Sequence, residues 1–294
     1  LNRRRNRTVE ACKEISVIIC VILLISCIPV LIQTQSFAYF FRSIGIGIYY
    51  LFQPHKVLIP LSNGDEVPFF AVVYNGYLNS IVIIFGALAV AIIVSILLTY
   101  LFHILSPPFK KAFSGVFFIV ESMPDVLIVI LNIQFFIWIF KTTGISLGIY
   151  EFGGETIYLL PILALSSIPA MYLFKYMTAS IDEEKNKKYY LFSQSRGFGE
   201  SYIFFIHLFR NTLLTLIQYY KTIFLYMISS LLIFEILLRL NGIMSFVRVY
   251  GIGDFRIMMW ILIMLYIPLY IFIRTGEFIV SKWTREEAGD QIAG

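Results

Sequence analysis

The sequence predicts an all-α, polytopic membrane protein with six transmembrane helices. Three observations carry that prediction. Of 294 residues, 59% are hydrophobic and 14% charged, against about 25% charged in a typical soluble domain. The apolar residues fall in runs of about 18 or more, the length that crosses a bilayer core. Lysines and arginines gather beside those runs, so the net charge of +5 reads as membrane orientation rather than as a nucleic-acid surface.

The first span is expected at 15–32, after a basic segment 1–14 that opens LNRRRNR. Charged start, apolar run and the Ser36-Phe37-Ala38 triplet imitate a signal peptide. The run exceeds the 7–15 residues, roughly, of a signal core, so an uncleaved helix is expected. Cys12, Cys20 and Cys27 lie in or near this span. Cys20 and Cys27 are two helical turns apart, about 10 Å along the axis, too far for a disulfide. No histidine stands near them to complete a metal site, so they read as packing or lipid-facing residues.

A loop is expected over 33–76, with Pro54, Pro60, Asn63-Gly64 and Pro68 as turn signals. Residues 77–281 then form a five-helix core, with spans at 77–105, 112–140, 157–181, 213–234 and 256–279, followed by a tail, 282–294. Pro107-Pro108 marks the turn between the second and third spans, since proline does not continue a helix. Those two spans exceed the minimum length and must tilt or project into water. Barrel strands would be about 10 residues long and alternating, which these runs are not.

Of the 23 lysines and arginines, all but Lys221 are assigned to one side or the other of the membrane. Arg3, Arg4, Arg5, Arg7, Lys13, Lys110, Lys111, Lys175, Lys185, Lys187, Lys188, Arg196, Arg210, Arg274, Lys282 and Arg285 fall on one side. Arg42, Lys56, Lys141, Arg239, Arg248 and Arg256 fall on the other. The positive-inside rule places the richer side, with both termini, in the cytosol. The loop 33–76 is then external.

Catalytic patterns are missing. There is no G-x-x-x-x-G-K-[ST], no H-E-x-x-H and no G-x-S-x-G. His55, His103 and His207 are scattered over an outer loop, a span end and a cytoplasmic segment, and no metal site is expected. An intramembrane enzyme is left without support, and six spans without a catalytic constellation suggest transport or service to another subunit.

The stretch DEEKNKKYYLFSQSRGFGESYIFFIHLFRN, between the fourth and fifth spans, is unlike its surroundings. Residues 182–196 are expected as a short helix with acidic residues at its start, favourable to the macrodipole, and Gly197 as its left-handed terminator. A second helix would begin near Glu200 and run into the fifth span. The plain alternative is a solvated loop.

Tyr189, the triplet Ser195-Arg196-Gly197, and His207-x-x-Arg210-Asn211 resemble the cytoplasmic loop of ABC-transporter permeases of the oligopeptide/dipeptide/nickel importer family. Ser122-Met123-Pro124 resembles the family's S-L-P. Leu163-Ala164-Leu165 with Pro169, then Ala179-Ser180-Ile181, resembles its fourth span. Glu235 followed by Asn241-Gly242-Ile243-Met244 resembles E-x5-P-G-L-G, and Asp254-Phe255 the D-Y before the last span. The likeness runs through nearly the whole chain in order. Departures are Leu191-Phe192-Ser193 at the E-A-A positions, Thr215 near the place of the proline after R-N, and Asn241 for the proline of P-G-L-G. The first outer loop is also short for the family, and the C-terminal D-P-R is absent.

The resemblance implies a type I ABC importer permease. It implies a second permease as partner, two cytoplasmic ATPase subunits seated on 182–200, and an external solute-binding protein that delivers a peptide-like or metal-chelate solute. It implies ATP and magnesium in the ATPases and no cofactor in this chain. Coupling to the ATPases would fall to Tyr189, Ser195, Arg196, Gly197, Phe198, Gly199, Glu200, His207, Arg210 and Asn211. An outer gate loop would hold Glu235, Asn241 and Gly242. Other readings are an ABC-linked exporter or immunity permease, a gradient-driven secondary transporter, for which inverted repeats are lacking, and a membrane assembly protein without a solute.

Glu121, Asp125 and Lys221 lie inside expected spans, where an unpaired charge costs at least about 2.5–3.5 kcal/mol. Glu121 and Asp125, four apart on one helix, would share a face. Glu121 and Lys221 would lie at about equal depth, roughly 12–14 Å from the cytosolic side. Either an inter-helix ion pair or the lining of a substrate pathway follows.

The orientation is checked with single cysteines at positions 187 and 56 in a background without the native three. An impermeant thiol reagent on intact cells should label position 56 and spare 187; the reverse overturns the orientation.

Overall fold

The computed structural model describes residues 2–60, 65–144, 158–251 and 253–292, with side chains except at 2–12, 210–211, 213–218 and 280–292. The expected Asn63-Gly64 turn lies outside these residues, and Cys12, Arg210 and Asn211 are described by backbone alone. Helices α1 (Asn2–Thr34) and α2 (Phe37–Phe52) are followed by a short hairpin of β1 (Leu58–Pro60) and β2 (Glu66–Pro68), paired antiparallel. Then come α3 (Phe69–Ile104), α4 (Pro107–Glu121), α5 (Asp125–Thr143), α6 (Leu159–Lys185), α7 (Lys188–Ser195) and α8 (Glu200–Ile203). A π turn, Phe204–Leu208, leads into α9 (Phe209–Leu237). Short α10 (Ile243–Phe246), a second π turn and α11 (Phe255–Ile292) complete the chain.

Among the described residues six helices are long and apolar enough to cross a membrane: Lys13–Thr34, Phe69–Ile104, Asp125–Thr143, Leu159–Lys185, Tyr219–Leu237 and Phe255–Ile279. Helices suit this solvent because they satisfy their own backbone polar groups where no water is available. The count agrees with the sequence. The third span does not.

Instead of one helix over 112–140, the chain breaks at Ser122-Met123-Pro124. Pro124 has extended ψ, 146°, and no N–H to donate. Its carbonyl instead accepts from Leu127 N (2.9 Å) and Ile128 N (3.3 Å), starting α5 afresh. Two further expectations are corrected. The segment 33–76 is not a plain loop, since it holds the 16-residue apolar α2 and the first turns of α3. Asp182, Glu183 and Glu184 do not open a new helix; they lie in the last turns of α6, and α7 starts only at Lys188.

The chain divides into two compact units, residues 1–80 with 241–268, and residues 81–240 with 269–294. In the first, α2 folds back on α1 after Gln35, whose φ is +50°. Ile22, Leu23 and Met259 form its buried centre, bordered by Tyr50 and Trp260. Cys27 is buried and Cys20 exposed, both as free thiols. In the second unit, α5, α6 and α9 pack on one another. Phe224 stacks on Phe272 at 4.5 Å, and Phe174 packs on Phe117 at 4.3 Å.

One contact in this second unit is unusually close. A Cβ on Gly276 would lie 2.3 Å from Cζ of Tyr220, whose hydroxyl donates to Ile273 O at 2.6 Å. Gly276→Ala therefore displaces a seated ring, at a cost of about 1–3 kcal/mol. The purified protein should melt at lower temperature, with partial recovery in the Gly276→Ala, Tyr220→Leu double variant. An unchanged melting temperature in the single variant rules the contact out as a constraint.

Candidate coupling corner and intramembrane charge cluster

The corner is built by a helix ending. Gly197 has φ +77°, a conformation that side chains with a Cβ adopt only at a cost. Its N–H donates to Gln194 O at 2.9 Å, and Phe198 N–H points back to Ser193 O at 3.4 Å. These are the two bonds of a Schellman ending, which satisfies carbonyls that α7 would otherwise leave open. Gly199, extended at ψ 150°, then starts α8. Gly197 thus has the backbone conformation expected of it, and a helical path does run from Glu200 onward.

That path is not a plain α-helix. The π turn Phe204–Leu208 carries His207 and precedes α9. Ile181, Tyr190, Ile203, Phe204 and Leu208 form a buried floor, with Tyr100, Tyr189 and Phe209 packed against it. Glu184, itself buried, accepts from Lys187 Nζ at 2.6 Å and Tyr189 OH at 2.5 Å. Gln194 Nε2 donates to Tyr190 OH at 3.0 Å. Burial, and then the Glu200 carboxylate, push the Tyr190 phenol above its usual range, so it stays protonated. His103 is also buried: its Nε2 lies 3.1 Å from Glu200 Oε2, at ion-pair distance but out of hydrogen-bond alignment.

Above this floor the tip is exposed and apolar. Leu191, Phe192, Phe198 and Tyr202 are all open to the surroundings. Arg196 lies over the Phe192 ring, 4.4 Å from its centroid, and Ser195 Oγ donates to Phe192 O. Sequence reasoning named the tip and the segment that holds Glu184, but missed that Glu184 is a buried anchor and missed Tyr100 and His103, which come from α3.

The intramembrane charges are arranged differently from expectation. Glu121 and Asp125 do not share a helix face, because the Pro124 break puts one at the end of α4 and the other at the start of α5. Lys221 pairs with neither; it is exposed on α9. Glu121 Oε1 instead meets Lys175 Nζ at 2.7 Å. Lys175 lies well inside α6, so it does not belong with the cytosolic flanking charges. Asp125 accepts from Tyr226 OH at 2.8 Å and Ser230 Oγ at 2.7 Å.

The expected gate residues form local structure of their own. Glu235 is buried near the end of α9, where Arg239 takes φ +51° and Leu240 N–H donates to Glu235 O at 2.9 Å. Asn241 O accepts from Asn79 Nδ2 at 3.0 Å, Gly242 precedes α10, and Ile243 N–H donates to Ser80 Oγ at 2.8 Å. Among the described residues, no group of three or more His, Cys, Asp or Glu side chains gathers where a metal could sit.

Six apolar spans, a capped corner and polar pairs beside and between the spans make up the architecture of the described residues. A family model for the binding-protein-dependent transport system inner membrane component matches residues 91–286, and the chain belongs to that family. A chain of the MetNI methionine ABC transporter, solved in an inward-facing conformation, has the same fold at TM-score 0.59 and 17% identity. The match covers 73% of this chain and 97% of that one. No curated protein matches the sequence. The chain is therefore a multi-pass inner-membrane protein with the type I importer permease fold, the permease subunit of an ABC importer.

The revised pairing has a direct check. Lys175→Met leaves Glu121 without its cation; because the Lys175 side chain is 61% exposed the pair is worth about 0–1 kcal/mol, so folded yield should fall only slightly, with Glu121→Gln restoring it. Lys221→Met should leave yield unchanged. Loss on Lys221→Met with rescue by Glu121→Gln would instead restore the pairing read from sequence.

Proposed function

We propose that this permease forms, with a second permease, the membrane pathway for a peptide-like or metal-chelate solute. Two cytoplasmic ATPase subunits drive it by seating on the corner 182–200, and an external binding protein delivers the solute. Both termini face the cytosol, as the flanking charges indicate. One observation carries the coupling role: the tip of the corner is exposed and apolar while its base is buried and hydrogen-bonded. A large exposed apolar patch marks an interaction site. A fixed base lets force applied at the tip reach α9 without being lost in a flexible loop.

The parts divide the work. Leu191, Phe192 and Phe198 supply apolar contact. Arg196, held over Phe192, offers donors to an acidic or carbonyl-lined cleft. Gly197 sets the angle between α7 and α8, and the π turn passes displacement into the fifth span. Transport then alternates access between the two permeases, with nucleotide turnover in the partners as its energy source.

Gly197→Val should leave the six spans inserted but reduce co-purified ATPase, or uncouple its hydrolysis from solute. Arg196→Glu should act the same way through charge reversal. The comparison is made at matched membrane levels against the unaltered chain. If co-purification and solute-stimulated hydrolysis are unchanged for both variants, the corner is a connecting loop and the coupling role is lost.

A further inference from the structure

The end of α3 holds a buried imidazole that the coupling role does not use. His103 is next to last in α3; its side chain is 2% exposed, and its ring lies 5.3 Å from that of Phe204 in the π turn. Neither ring nitrogen has a hydrogen-bond partner among the described residues, whereas buried polar groups nearly always have one. A carboxylate is close by: Glu200 Oε2 lies 3.1 Å from Nε2. Glu200 opens α8, and its side chain is 62% exposed, so it is free to turn toward the ring or away from it.

The same two helices meet at a second point. Tyr100 and Ser201 join hydroxyls at 3.0 Å, and the Tyr100 ring packs on Phe204 and Phe205 at 5.2 and 5.1 Å. The other charged groups facing His103 come from α4 and α6. Lys110 Nζ donates to His103 O at 3.2 Å, while Lys185 and Asp182 pair with each other at 3.7 Å. Tyr190 of α7 faces Glu200. His207, on the π turn, has its ring beside Tyr189 and Tyr202. Of the two carboxylates, Glu200 is the one at ion-pair distance from the imidazole. All of these residues belong to one compact unit.

We infer that His103 and Glu200 form a proton-operated latch between α3 and α8, through which the acidity of the cytosol sets how firmly the corner is held. An imidazole gains its charge between about pH 8 and pH 5. When His103 takes a proton from water, the contact becomes an ion pair and Glu200 is drawn onto the ring. When the proton leaves, that attraction goes with it, and α8 is held to α3 by Tyr100, Ser201 and Phe204. The latched state carries the extra proton, so acid favours it and alkali releases it. Lys110 and Lys185, of like charge to the imidazolium, oppose the proton and keep the latch reversible. The latch is a property of this chain; that it regulates transport rests on the coupling role proposed above.

The test uses the assembled transporter in lipid nanodiscs, with a cysteine-free permease spin-labelled at Leu97→Cys on α3 and Tyr202→Cys on α8, both exposed positions. The population at the shorter label separation should grow at least about threefold between about pH 8 and pH 5. His103→Gln and Glu200→Gln should each make the distribution independent of pH. Should His103→Gln fail to fold, Glu200→Gln decides alone, because it alters an exposed side chain and keeps the imidazole. A distribution that does not change with pH while His103 and Glu200 are intact overturns the latch. So does a pH response that survives in either variant. Solute-stimulated hydrolysis by the co-purified ATPase, followed over the same range, reports separately on coupling. If the labels respond but Glu200→Gln leaves the pH profile of hydrolysis unchanged, the latch stands and its regulatory role is overturned.

Discussion

The corner between α6 and α8 depends on a carboxylate kept out of water. Glu184 is buried at the end of α6, where its charge is tolerable because Lys187 and Tyr189 both donate to it. A buried charge without such partners costs several kcal/mol, in rough terms. Once Glu184 is satisfied, α7 is tied to α6 at its first turn, and the apolar floor under Tyr190 and Phe204 can close. Only then does the left-handed turn at Gly197 have a fixed base from which to project.

The same rule governs the membrane interior. Asp125, at the start of a spanning helix, is answered by Tyr226 and Ser230, and Glu121, at the end of α4 just before it, by Lys175. Their partners come from α6 and α9, so the break between α4 and α5 becomes a three-way junction of polar side chains. Helix packing alone does not require that arrangement, since apolar residues of similar volume often stabilise as well.

Much of this was legible in the sequence. Run length and flanking charge predict six spans, because hydrocarbon thickness and backbone satisfaction leave few alternatives. Gly197 reads as a left-handed terminator because glycine lacks the Cβ that opposes it. The break at Pro124 was legible too, but the apolar residues on either side join into one run and hide it. Lys221 was a natural partner for Glu121 by depth, yet depth says nothing about azimuth around a helix. Lys175 was hidden by the basic cluster that follows it. The signal that would have found it is its place inside the expected fourth span, 157–181. The burial of Glu184 could not be read, although its partners Lys187 and Tyr189 follow within five residues, and His103 was hidden because it comes from α3.

The ending of α6 is at odds with its own dipole. Asp182, Glu183 and Glu184 occupy the turn where the helix presents its negative end, which favours cations instead. Lys185 and Lys187 offset this through pairs with Asp182 at 3.7 Å and Glu184 at 2.6 Å. The two pairs differ in exposure: the Asp182 side chain is 67% exposed, that of Glu184 11%. Dissolved ions screen the first freely and the second poorly, over a distance of about 8 Å at physiological ionic strength. Salt therefore loosens the outer pair, which lies within α6, before the inner one that ties the end of α6 to the start of α7.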